Sequence, residues 1–365
     1  MVTALIVIII AVLLARLDIR NKTNKNYGLI SAFVLLTAFA SIRYNWGNDY
    51  SSYLNMFFYV NSISDVNLSS FYVEPGWVAI NRLFYPIGFF GMIIVLTCFE
   101  YIIIYRFITK YLERRYYWFA VLIFTMSFAL MITGVSMMRQ FLAQCICLLA
   151  FENIINKRLL VAILLIYVAT LFHTSAMIIF PVCFAGYCYK VINNKKLAII
   201  LSSVLVILYV FGEVLLGGIL DIVMQSRDEF SRYDVYFGEV EDLGVIKVIR
   251  TLYDIIFIAF VFMIGRKLHQ RDRLILLLIY LISFFFDAFA NLVPMIGRIS
   301  FYFEMIGIVV LPIIFSSVKN KIWRTLIPLS YVVRITYGFI SSFYNDVWHK
   351  AFFEYHTIFE ASHWM

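Results

Sequence analysis

Apolar stretches of membrane-crossing length recur from end to end of this chain, broken by short connectors rich in lysine and arginine. In a bilayer core every backbone N–H and C=O must be satisfied within the protein, so such a chain can span only as helices or as a closed barrel. A barrel alternates apolar and polar residues, whereas stretches such as Ile275–Phe286 are apolar all round. Hydrophobic residues make up 63% of the 365 and charged residues 14%, outside the range of a soluble domain. The expected fold is therefore an all-α polytopic membrane protein of about twelve spans. They are placed at 2–16, 27–42, 87–106, 116–133, 135–153, 159–173, 174–189, 197–216, 246–265, 273–291, 296–316 and 324–342, in one domain covering 1–365.

The 30 basic residues support that placement. Twenty fall in connectors on one side: Arg16, Arg20, Lys22 and Lys25; Arg106, Lys110, Arg114 and Arg115; Lys157 and Arg158; Lys190, Lys195 and Lys196; Arg266, Lys267, Arg271 and Arg273; Lys319, Lys321 and Arg324. The positive-inside rule makes that side cytoplasmic and puts both termini outside. The net charge of +8 then reflects an anionic inner leaflet, and no nucleic acid is needed to explain it. The remaining ten are Arg43, Arg82, Arg139, Arg227, Arg232, Lys247, Arg250, Arg298, Arg334 and Lys350, eight of them arginine. They lie at or near the outer face, where a deeply placed charge costs about 2.5–3.5 kcal/mol. The planar fork of arginine matches phosphate or carboxylate, so the outer half is expected to hold an anion, most simply a lipid-linked pyrophosphate.

Met1 to Ala15 is apolar, with no basic residue before it and Arg16 after it, the reverse of a cleaved signal peptide; an uncleaved first span is expected. All five cysteines fall within hydrophobic spans, so no disulfide framework is indicated. Residues 159–189 give two crossings only 31 residues, which implies a shortened or re-entrant pair with His173 in a recess at its junction. Two outer loops, 43–86 and 217–245, are long enough for chemistry, and a tail, 343–365, follows the last span.

Candidate residues cluster at the outer ends of the spans. In the segment Arg43–Tyr53, Gly47 and Asn48 suit a turn, after which Asp49 and Tyr53 share a helix face. Arg43 would bind phosphate and Asp49 would orient or deprotonate a hydroxyl, with Trp46, Tyr50 and Tyr53 stacking on sugar; the alternative is a snorkelling arginine in an aromatic belt. Glu74-Pro75-Gly76 opens a second outer helix with proline at its first position, and Glu74 serves either as a cap or in catalysis. Arg82 lies further along that helix. Arg139 opens the fifth span among Met137, Met138 and Phe141, an expensive place for a charge without a partner. His173 is a core histidine, hydrogen-bonded or functional. Arg298 follows Pro294 and Gly297, with Tyr302 one turn on, and Asp254 and Asp287 are available to neutralise arginines. His349, His356 and His363 recur every seven residues, as the polar stripe of an interfacial helix would, whereas a zinc site wants closer spacing. Nucleotide and metal-protease motifs are absent from the sequence.

With R-Y-N-W-G-N-D-Y-x-x-Y (Arg43–Tyr53), E-P-G-W (Glu74–Trp77), M-R-Q-F-L-A (Met138–Ala143), F-H-T-S-A (Phe172–Ala176) and R-I-S-F-Y (Arg298–Tyr302) in this order, the chain resembles the EpsG-like branch of bacterial O-antigen and exopolysaccharide polymerases, the Wzy type. Asn48 stands where that pattern has a small hydroxyl residue. The resemblance implies a GT-C-like architecture in the bacterial plasma membrane with an active site facing outside. It also implies transfer of a growing glycan from undecaprenyl pyrophosphate to the sugar of another undecaprenyl-pyrophosphate-linked repeat unit, without a nucleotide sugar. Expected partners are those lipid-linked glycans and membrane lipid, together with a chain-length regulator and a flippase of the same pathway.

On this reading Arg139, Arg298 and Arg43 stabilise the departing pyrophosphate, with Arg82, Arg250 and Arg334 in reserve. His173 is the favoured base and Asp49 the second, because a nearby arginine would weaken a carboxylate as a base. Glu74, Tyr50, Tyr53 and Tyr302 complete the substrate-binding set. No cofactor is expected, although Asp49, Glu74 and Asp287 would bind a divalent cation if they converge. Two other classes fit less well. A flippase for an anionic lipid wants charges deep in the inner half, where only Glu100 is a candidate, and a membrane O-acyltransferase wants longer inner connectors.

Overall fold

The computed structural model describes residues 1–20, 25–63, 73–189, 194, 200, 203–204, 207, 244–265, 267–290, 294–344 and 346–360. The outer loop placed at 217–245 lies outside the described residues except for its last two, and so do most of the span placed at 197–216, Arg227, Arg232 and His363. Among the described residues the elements are helices apart from one two-stranded sheet, and the all-α membrane class stands. It divides into two compact units, Met1–Cys183 with Val318–Met365, and Phe184–Ser317.

The first unit begins with helices Val2–Leu17 and Tyr27–Ser41, packed on each other, and the 3–4 spacing of Ala4, Ile8, Ala11 and Ala15 gives the first helix one buried apolar face. Their connector is stapled by Asp18, whose carboxylate accepts the Gly28 and Leu29 N–H groups, both at 2.8 Å, at the start of the second helix. Tyr27–Ser41 lies against Gly88–Tyr111 and, through Phe33 stacked on Phe124, against Tyr117–Met126. Helices Met138–Ile155 and Leu159–Thr170 form an antiparallel pair. The second unit stacks Gly244–Gly265, Arg271–Ala290, Pro294–Glu304 and Gly307–Ser316 around Leu274–Ile279.

By length and hydropathy, two described helices can cross a membrane, Pro75–Tyr111 and Met138–Ile155, or up to four if two bent pairs each count once. The fourth expected span is broken: Tyr117–Met126 ends at Ser127, a π-helical turn and Thr133–Ser136 follow, and the bend is 57°. The eleventh is bent by 58° between Glu304 and Gly307. Leu159–Thr170 has 12 residues, about 18 Å of helix against roughly 30 Å of hydrocarbon, so the first of the two spans expected to meet at His173 is short, and Thr174–Phe184 after it is a 3-10 helix.

The tail differs from the interfacial stripe expected of it. Helix Asp346–Phe352 carries His349, but His356 lies in a strand, His356–Thr357, paired antiparallel with Arg43–Tyr44. His349 and His356 therefore share no helix face. Packing outweighs periodicity here: Trp46 donates to the Phe352 carbonyl (3.1 Å), Tyr355 to that of Phe39 (2.5 Å) and the Met1 ammonium to that of Phe353 (2.6 Å).

Candidate active site

Four of the five motif segments meet in the first unit, and two glycines make that possible. Gly47 has φ +129°, and a Cβ there would stand 2.8 Å from the Val135 carbonyl oxygen, so only glycine lets the 43–53 segment turn onto residues 135–136. The Asn48 N–H then donates to Ser136 Oγ at 2.8 Å, and helix Tyr50–Ser62 begins, with Asp49 preceding it and Tyr53 on its first turn. Gly76 presses still closer: its N–H donates to the Leu171 carbonyl at 2.8 Å, and a Cβ would lie 2.6 Å from that oxygen. Gly76→Ala is expected to cost about 1–3 kcal/mol through forced backbone displacement. Thermal melting of the detergent-solubilised protein measures this, and an unchanged midpoint would refute the close approach.

That contact sets Glu74, at the head of helix Pro75–Phe84, beside the turn at 171–174. Proline occupies the first helical turn as expected, but the Glu74 side chain does not cap its helix. One carboxylate oxygen meets Arg139 Nη1 at 2.5 Å, and the other accepts the Thr174 N–H at 3.1 Å and its hydroxyl at 3.4 Å. The two side chains are 22% and 13% exposed, so the ion pair is largely shielded yet touches the surface. Arg139 also lies 5.9 Å from the centre of the Tyr53 ring, which packs on Trp77. Burial raises the Tyr53 hydroxyl above its ordinary value, with Arg139 acting against that shift and Asp49 with it; Tyr53 therefore stays a protonated phenol. His173 is half-buried at the same turn, its Nδ1 2.6 Å from Ser175 Oγ. Asp49, Tyr53, Glu74, Arg139 and His173 thus belong to one neighbourhood built from 49–53, 74–77, 139 and 171–175. Sequence reasoning assigned no role to Thr174, Ser175 or Ser136, although the first two stood inside a quoted motif.

The other expected site residues lie elsewhere. Arg43 is 2% exposed, donating to the Ala40 carbonyl and, at 3.4 Å, to that of Val135. The hollow beside it has room for about one water and not for a phosphate. Tyr50 and Trp46 are interior, packed edge-on against Phe89 and Phe39, and present no face on which a sugar could stack. Arg82 is exposed and reaches the Ile63 carbonyl at 3.3 Å. Arg334 is half-buried on Lys321–Ser342. In the second unit, Arg250 lies on Gly244–Gly265, and Pro294–Glu304 carries Arg298, half-buried, and Tyr302, fully buried. Among the described residues no three His, Cys, Asp or Glu come together as a metal site would need, and Asp49, Glu74 and Asp287 form no such group.

An all-α membrane chain whose motif segments close around a shielded arginine–carboxylate pair defines a class: an integral-membrane protein with a polar site set among apolar helices. The EpsG family model matches residues 26–357, nearly the whole chain, and the protein belongs to the EpsG family. Membership points to a glycosyltransferase-like polymerase of exopolysaccharide or O-antigen type. Neither curated proteins nor solved structures contain a match to this chain.

Proposed function

We propose that the protein polymerises lipid-linked repeat units of the Wzy type at the outer face of the bacterial plasma membrane, by way of a twelve-span topology with both termini outside. The observation that carries this reading is the Arg139–Glu74 pair held between Tyr53 and the 173–175 turn, because it joins four motif segments of the matched region at one partly exposed point. In the reaction an acceptor sugar hydroxyl attacks the anomeric carbon of the growing glycan. The bond from that carbon to the pyrophosphate oxygen breaks, a glycosidic bond forms, and undecaprenyl pyrophosphate leaves with the electron pair. Arg139, a charged fork at the start of a helix, holds the departing phosphate, where the helix dipole also favours negative charge. His173 takes the hydroxyl proton; a Nδ1–H donated to Ser175 would leave Nε2 as the accepting nitrogen. Asp49 orients the acceptor. The chemistry asks for no cofactor, and its partners are the lipid-linked glycans, a chain-length regulator and a flippase.

Reconstitution with a defined undecaprenyl-pyrophosphate-linked repeat tests this directly, with a ladder of products expected. A deletion strain is expected to carry single-repeat glycans. Complete loss of surface glycan would indicate a flippase, and long chains of altered serology an acyltransferase.

A further inference from the structure

The hollow beside Arg43 is walled by a group the proposed chemistry does not use. Glu100, midway along helix Gly88–Tyr111 and outside every motif quoted above, lines it together with Arg43, Thr97 and Tyr101. Arg43 is 2% exposed and Glu100 7%. The terminal guanidinium nitrogens go to the Ala40 and Val135 carbonyls, but Nε, equally buried, has no hydrogen-bond partner among the described residues, and neither has the Tyr101 hydroxyl. Carbonyl dipoles satisfy N–H groups without neutralising the charge, and an uncompensated buried charge is strongly destabilising. Among mostly apolar walls, the guanidinium, the carboxylate and the Tyr101 hydroxyl offer one water polar partners, and a bridging water with two to four such partners is stable.

We propose that one trapped water links Arg43 Nε to the Glu100 carboxylate, so that Glu100 is the counter-charge of Arg43 inside the helix bundle. Glu100 is then a positioning residue. Arg43 opens the strand paired with Thr357, and its carbonyl accepts the Tyr50 hydroxyl at 3.3 Å, so it anchors the segment that carries Asp49 and Tyr53. Fixing the guanidinium fixes that segment. The role in polymerisation rests on the function proposed above; the charge pairing does not.

The test uses full-length protein in detergent, with Arg43→Gln, Glu100→Gln and the double variant. Each single change is expected to lower the melting midpoint, and the double variant to melt above Arg43→Gln, because it no longer buries an unmatched carboxylate. Additive lowering overturns the pairing. Should Arg43→Gln not fold, Glu100→Gln decides alone: it removes the charge while keeping the shape, and a wild-type midpoint overturns the pairing. For positioning, Glu100→Asp is expected to keep polymer formation, with water filling the missing methylene, and Glu100→Gln to lose about tenfold through displacement of the 43–53 segment. Wild-type polymer from Glu100→Gln overturns the positioning role. Coupled melting in a protein that makes no polymer even as wild type would overturn the proposed function and leave the pairing standing.

Discussion

Arg139→Ala is expected to cut polymer formation about a hundredfold to a thousandfold, the cost of removing one preorganised donor to a developing oxyanion. The same change strands the Glu74 carboxylate, which keeps only its bonds to Thr174, and is expected to lower stability by about 3 kcal/mol. The two effects separate in the double variant Arg139→Ala with Glu74→Gln. Neutralising Glu74 restores much of the melting midpoint, because no unmatched charge remains, but it cannot restore a cation for the departing phosphate. Polymer banding in a complemented deletion strain, read beside melting of the purified protein, decides the matter. If the double variant recovers polymer along with melting, Arg139 serves only as a structural partner for Glu74. Arg139→Lys is the finer probe: it keeps the charge but loses the planar fork, and should fall between wild type and alanine.

His173→Ala is expected nearly to abolish polymer at unchanged protein level. Removing a positioned base costs about a hundredfold to ten-thousandfold, while a half-buried side chain at a turn contributes little to the fold. Ser175→Ala should have a smaller effect in the same direction, since it only releases the ring held at Nδ1. A His173→Ala protein that makes normal polymer removes the imidazole from the mechanism and shifts attention to Asp49.

These predictions rest on features unequally legible in the sequence. Proline opening the helix at 75, the turn at Gly47 and the shared face of Asp49 and Tyr53 were readable because each is a local matter of backbone sterics or helical period. The breaks at Ser127 and beyond Glu304 were not, since apolar residues continue through both and hydropathy cannot register a change of direction. Arg43, which follows a span, read as one of three arginines available to a departing pyrophosphate. Its enclosure comes from residues 93–101 and 134–141, which no local reading could bring beside it. The tail misled for a similar reason: a seven-residue recurrence suggests a helix, but pairing of His356 with Tyr44 and burial of Trp46 under Phe352 favour a strand.

Hydropathy and the placement of lysine by themselves determined that this protein is helical and membrane-borne, because a bilayer permits few ways to satisfy a backbone. The ordered short motifs pointed to its family in the same way, as strings of residues need no coordinates to be compared. Only the tertiary structure decided which arginine faces a carboxylate at the surface and which is sealed beside one in the interior. Glu74 and Arg139 stand 65 residues apart, and their meeting depends on a glycine lying flat against a distant carbonyl. Charge compensation in an apolar medium is a matter of ångströms, and separation along a chain carries no information about them.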